Sequence, residues 1–118
     1  MTATDTFFSA WSKADDAARL AIIRDVVTDG CTYDDPRSQG ILTGDAAIAD
    51  YVGNFARMAV GASVVVVKTD LRGACERERA TIAFRMADGM EQTGQYFIDH
   101  DGDKITRMVG FFGTGADT

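Results

Sequence analysis

The sequence predicts an α+β fold in which three N-terminal helices pack on one face of a curved, mainly antiparallel sheet. Three observations carry this. Apolar residues in the first half recur at helical spacing, and from Ser63 onward the period falls from about 3.6 residues to about 2. The second half is divided by Asp88-Gly89 and Asp101-Gly102, pairs that favour tight hairpin turns. Helices followed by a run of hairpins form a sheet with the helices gathered on one side. A sheet wrapped around helices tends to leave a conical cavity.

In chain order, Thr4 or Thr6 can cap a first helix whose Phe7, Phe8 and Trp11 form an apolar ridge. Asp15 and Asp16 give a second helix its cap and first-turn negative charge. Leu20, Ile23 and Val27 form its apolar side, and Gly30 is its stop. Residues 31–35 read as a brief strand ended by Pro36, the only proline, which has no N–H for a ladder. An irregular loop runs to Thr43. Thr43 or Gly44 then begins a third helix carrying Ile48, Tyr51, Val52, Phe55 and Met58 as a broad apolar stripe, closed by Gly61. Four strands follow, near 63–72, 76–87, 91–99 and 105–112, antiparallel neighbours because their connections are short. Alternation turns Ile82 and Phe84 toward the helices, with Tyr96, Ile98, Met108 and Phe112 on the same side, while Arg79, Thr81 and Arg85 face outward. Residues 114–118 read as a frayed tail.

The 118 residues suffice for one domain around one core. A content of 46% apolar and 25% charged residues excludes a disordered or fibrous chain. The net charge of -6 repels phosphate backbones, and no basic cluster is visible, so nucleic acid is not an expected partner. Glu76-Arg77-Glu78-Arg79 alternates in sign, as a solvated strand surface does. Cys31 and Cys75 are too few for a disulfide framework and read as reduced, buried thiols. No basic-then-apolar leader opens the sequence, and the valine run Val64 to Val67 is far short of the roughly 20 residues of a membrane span. A cytoplasmic protein without membrane contact is the expectation.

The chemistry concentrates in Tyr33-Asp34-Asp35-Pro36, where helices give way to strands. Tyr33 and Asp35 share a face in an extended chain, whereas Asp34 has the opposite parity and faces solvent. An aspartate in an apolar pocket wall suits general-base work, because such surroundings penalise its charged form. The same residues also suit a plain turn, in which acidic side chains bond nearby backbone amides. Trp11, Tyr51, Phe55, Phe84, Tyr96, Phe97, Met108 and Phe112 either line a site for a flat or cyclic apolar ligand or fill the core. The hydroxyls of Tyr33, Tyr51 and Tyr96 are candidate donors. His100, the single histidine, falls in a hairpin and reads as a surface residue; alone among scattered carboxylates it makes no zinc site. Gly110, Gly113 and Gly115 precede no helix that would receive a phosphate, and no glycine-flanked serine elbow exists. No metal or cofactor is expected.

The order of elements resembles the nuclear transport factor 2-like superfamily, which includes SnoaL-like cyclases, ketosteroid isomerases, limonene epoxide hydrolase and scytalone dehydratase. Tyr33-Asp34-Asp35-Pro36 followed by Gly44-Asp45-Ala46-Ala47-Ile48 carries the resemblance, with Gly102-Asp103-Lys104-Ile105 and Gly110-Phe111-Phe112-Gly113 at the close. It implies one SnoaL-like domain over residues 1–118, a cone-shaped barrel with a deep apolar pocket, and a homodimer formed through the outer face of the sheet. It also implies that Asp35 is the general base. Ketosteroid isomerases hold the enolate with a protonated acid and a tyrosine. Those positions fall near Gly94 and Trp11 here, neither of which substitutes directly. Steroid isomerisation is therefore not expected. The Asp-Arg-Asp set of the epoxide hydrolase and the histidine-based arrangement of scytalone dehydratase have no counterparts either.

Overall fold

The computed structural model describes residues 2–74 and 76–113; the expectations for Cys75 and residues 114–118 lie outside the described residues. Helix α1 (Ala3–Ser9) is capped by Thr2 rather than by Thr4 or Thr6. Thr2 Oγ1 accepts from the Asp5 N–H, and the Asp5 carboxylate accepts from the Thr2 N–H. This reciprocal arrangement satisfies two free amides at once. Thr4 is left buried inside the fold. One 3₁₀ turn, Ala10–Ser12, then carries Trp11 into the core.

Helix α2 (Asp16–Val26) starts as predicted, with the Asp15 carboxylate accepting from the Ala18 N–H at 2.8 Å. It ends at Val26, four residues before Gly30. The β-branched run Val26-Val27-Thr28 favours extended backbone, and Val27 already has φ -118° and ψ 152°. Strand β1 (Val27–Asp34) therefore follows directly, with Gly30 inside it. Part of the expected loop is a short strand, β2 (Leu42–Thr43), antiparallel to β1. Helix α3 (Asp45–Met58) begins after Gly44, whose φ of 90° favours glycine, and ends at an Ala59 cap rather than at Gly61. Its buried residues run only from Ile48 to Gly53, so the last turn is uncovered and Met58 is 88% exposed, outside the apolar stripe.

Strands β3 (Ser63–Arg72), β4 (Arg77–Arg85), β5 (Glu91–Asp101) and β6 (Lys104–Phe112) complete the sheet, and the last hairpin turns at Gly102-Asp103. The order is β2-β1-β6-β5-β4-β3, a curved sheet that does not close. Every neighbouring pair is antiparallel except β1 and β6, which run parallel. Register sets the inner face: Ile82 lies opposite Gly94, Tyr96 opposite Gly110, and Ile98 opposite Met108. Phe7, Phe8, Ile23, Ile48 and Val52 cover that face and, with Ile82, Ile98, Ile105 and Met108, make the core. Each such side chain taken from water stabilises the fold by about 1.5–3 kcal/mol.

Among the described residues, two charged side chains are unexpectedly inside. Arg19 is only 2% exposed; it donates to Asp16 and to the Lys13 carbonyl, and its guanidinium lies where a Cβ on Gly53 would fall. Glu78, expected on a solvated surface, has the parity of Ala80 and Ile82 and is buried. Its Oε1 accepts from Thr4 Oγ1 at 2.5 Å and lies 2.8 Å from His100 Nε2. His100 is consequently packed against a carboxylate rather than displayed on the surface.

The outer face also departs from the reading of the sequence. Phe97 is exposed there, its ring edge-on to Phe111 at 5.8 Å, and it lines no inner pocket. Arg72, Arg77, Arg79 and Arg107, dispersed in sequence, gather around one groove with Asp70 and Asp99. Pairing across β3, β4, β5 and β6 creates this cluster, which a linear scan does not show. Arg85 does face outward, bonded to Glu91 at 2.9 Å.

Candidate functional site

Alternation along β1 buries Cys31 and Tyr33, and one step past the strand it directs Asp35 to the same side. Pro36 ends the ladder there. The Asp35 carboxylate does fasten a turn, accepting the Arg37 N–H at 2.8 Å, while the Asp35 N–H donates to Ser38 Oγ. That bond occupies only part of its capacity. Tyr33 Oη donates to Oδ2 at 2.7 Å, and Tyr51 Oη is shared between Oδ1 at 2.8 Å and Oδ2 at 2.9 Å. The turn reading and the pocket reading thus hold for one side chain.

Tyr96 extends the network, its hydroxyl 2.8 Å from that of Tyr33. Tyr33 has one hydroxyl hydrogen and gives it to Asp35, so Tyr96 is the donor between the phenols. A glycine opposite makes room for this. A Cβ on Gly110 would fall 2.6 Å from Tyr96 Cε2 and 3.1 Å from Asp35 Cβ. Burial, foremost, raises all three phenols above their ordinary value, and the Asp35 charge adds to the effect. They remain protonated donors. Asp34 faces away, accepting from Ser38 Oγ at 3.3 Å.

Asp35 stands in the wall of a cavity of about 50 Å³, lined by Trp11, Tyr51, Phe55, Phe84, Tyr96 and Phe112, among others. Tyr51 and Phe55 reach it from successive turns of α3, while Trp11 stands edge-on to Phe55 at 5.2 Å and to Phe84 at 5.5 Å. The Trp11 indole N–H is buried without an acceptor among the described residues. Two sequence candidates are placed elsewhere. Tyr33 is fully buried and absent from the lining, behind the carboxylate it binds, and Met108 is core, opposite Ile98 on the sheet. Conversely, Gln92 and Gly94 line the cavity unforeseen, although they share the parity of Tyr96 and alternation points to them. Arg37, also in the lining, lies in a loop where no periodicity marks it. Among the described residues, no cluster of three histidines, cysteines or carboxylates offers a metal site.

Helices packed into an open, curved sheet around a cavity define the nuclear transport factor 2-like fold, and this chain has it. No protein-family model matches the sequence, and no curated protein matches it. Solved structures do. A protein of the SnoaL-like family from Agrobacterium tumefaciens, assigned provisionally as an isomerase, superposes with a TM-score of 0.82 at 20% identity, covering 95% of each chain. A ketosteroid isomerase-like protein from Catenulispora acidiphila, crystallised with trimethylamine, gives 0.73 at 15% identity over 96% of this chain and 88% of its own. A de novo designed protein with a curved β-sheet also reaches 0.73, at 11% identity over 94% of this chain and 82% of its own. At these identities the likeness establishes the fold, and activity has to be argued from the site.

Proposed function

We propose that this chain is a cofactor-independent isomerase, cyclase or lyase in which Asp35 moves a proton on a small, largely apolar carbonyl compound. The observation that carries the reading is the shared Tyr51 hydroxyl, bonded to both oxygens of a carboxylate in the cavity wall. A substrate carbonyl that takes the Tyr51 hydrogen bond frees one Asp35 lone pair toward the adjacent C–H. Asp35 then removes that proton, the C–H electron pair becomes the C=C bond of an enolate, and the negative charge settles on the oxygen facing Tyr51. Where the substrate is β,γ-unsaturated the enolate is a dienolate, and returning the proton from Asp35 to the γ-carbon, with the double bond moving to the α,β position and the carbonyl re-forming, completes an isomerisation. Tyr33 holds the carboxylate from behind and Tyr96 holds Tyr33, so the base keeps its place through both transfers.

The test is exchange of the α-protons of cyclohexanone in heavy water, followed by NMR. Asp35→Asn is expected to lower enzyme-dependent exchange by at least about 100-fold, the lower range for general-base catalysis, with an unchanged circular dichroism spectrum. Equal exchange by the wild type and Asp35→Asn would remove Asp35 from the role. Tyr51→Phe is expected to cost less.

A second reading, a non-catalytic ligand-binding module, is favoured by the aromatic wall around a fixed negative charge. Trp11, Phe55 and Phe84 with Asp35 suit a small alkylammonium cation, and the Catenulispora neighbour was crystallised with trimethylamine. Trimethylammonium binding in the absence of any α-proton exchange selects this reading. In either case, the exposed Phe97 and Phe111 pair on the outer face supports a homodimer formed through the sheet, for which sedimentation velocity is the measure.

A further inference from the structure

The size of the cavity constrains what lies at its mouth. An apolar cavity of roughly 150 Å³ admits benzene, whereas this one measures about 50 Å³. Only the reacting end of a ligand fits, and the remainder must lie across the exposed part of the lining: Pro36, Arg37 and Phe112, beside the half-buried Gln92.

Among the described residues, Arg37 is the one cation in that lining. Seven of the nine arginines stand within ion-pair distance of a carboxylate; Arg37 has no such partner among the described residues. The carboxylate nearest in sequence, Asp35, is already committed to Tyr33, Tyr51 and the backbone N–H of Arg37 itself. The guanidinium instead lies 5.4 Å from the centre of the Phe112 ring and donates from Nη2 to Gln92 Oε1 at 3.1 Å. One of its five N–H donors is thereby used. A guanidinium steadied by an aromatic face and an amide, with its other donors unassigned, is suited to a planar two-oxygen anion.

We infer that Arg37 recognises a carboxylate on the ligand, so that the substrate is an oxo or unsaturated acid: its carbonyl end enters toward Asp35 and Tyr51, and its acid end remains at the mouth. Phe112 covers the apolar segment between them. The net charge of -6 opposes any anion approaching the protein as a whole. A local cation at the mouth offsets that repulsion where the ligand binds. This assignment rests on the Asp35 reading for the orientation of the ligand.

The experiment is a binding titration read by the fluorescence of Trp11, the only tryptophan and part of the cavity wall. 4-Oxopentanoate, which has a carbonyl and an acid end, and its neutral amide 4-oxopentanamide are compared on the wild type, Arg37→Gln and Arg37→Lys. The wild type is expected to prefer the acid by about tenfold, a modest charged hydrogen bond at an exposed site. Arg37→Gln erases the preference, Arg37→Lys keeps part of it, and added salt weakens it. Equal binding of acid and amide by the wild type overturns the assignment, as does a preference that survives Arg37→Gln. If the amide binds and the acid gains nothing, the pocket stands and only the role of Arg37 falls; if neither changes the fluorescence, both readings fall.

Discussion

Asp35 and Glu78 are both drawn into the interior, and the fold treats them differently. Glu78 is the deeper, gripped through Oε1 by Thr4 from α1 and by His100 from β5, so that it ties a helix to the sheet. Asp35 is half-buried, with two phenols and a backbone amide at its oxygens and a cavity beside it. Asp35 has the more partners, three against two. The difference lies in what else each carboxylate can reach: Glu78 fastens the chain to itself, whereas the Asp35 bonds include one, the divided bond from Tyr51, that a ligand can replace.

The comparison is broken most forcefully at Gly110. Gly110→Ala would place a methyl group against the Tyr96 ring and Asp35, with an expected loss of about 2–3 kcal/mol in urea denaturation, as for overpacked cores. Cyclohexanone exchange should fall with it. A stable Gly110→Ala protein with full exchange would show that the Tyr96 link does not hold the base.

Alkaline titration addresses the same cluster with a smaller effect at first. In the unfolded chain Cys31 titrates near 9.0 and the phenols near 10.0, while in the fold burial pushes the Cys31 thiol up to about 11 and raises Tyr33, Tyr51 and Tyr96 as well. Above the unfolded values the native state holds more protons than the unfolded state. Stability is therefore complete below about pH 9 and declines as pH rises, by about 1.4 kcal/mol per unit for each group ionised only when unfolded. Urea midpoints across this range should show the decline, with Cys31→Ala flattening its lower part. Phenolate absorbance from the three tyrosines that develops before unfolding would contradict their burial.

The smallest expected effect sharpens the other side. Thr4→Val removes one hydrogen bond to Glu78 and should cost about 1 kcal/mol, leaving proton exchange and the alkaline slope unchanged. Altered exchange in Thr4→Val would mean that the two carboxylates are coupled.

These contrasts were unevenly legible in the sequence. Alternation along the later strands gave the inner face correctly, because side-chain parity survives errors of one or two residues in strand ends. The pairing of Tyr33 with Asp35 followed from the same rule. Glu78 was misread because the signs of its neighbours suggested solvent, while its own parity pointed inward. His100 and Arg37 depend on partners distant in sequence, and local pattern contains nothing about them. Likewise, Gly30 resembled a helix stop, but the valines before it had already turned the chain into a strand.

The parallel pairing of β1 with β6 affects how the site comes into being. Tyr33 and Tyr96 lie 63 residues apart, and Asp35 packs beside Gly110 on the last strand. Closing loops of that length is entropically costly and slow compared with local helix formation. The helices can therefore form early during synthesis, but Asp35 has neither the Tyr33–Tyr96 link in place nor Gly110 packed behind it until β6 inserts between β1 and β5. Nascent chains halted before β6 should carry helical structure and no exchange activity, which makes the final strand the step that arms the site.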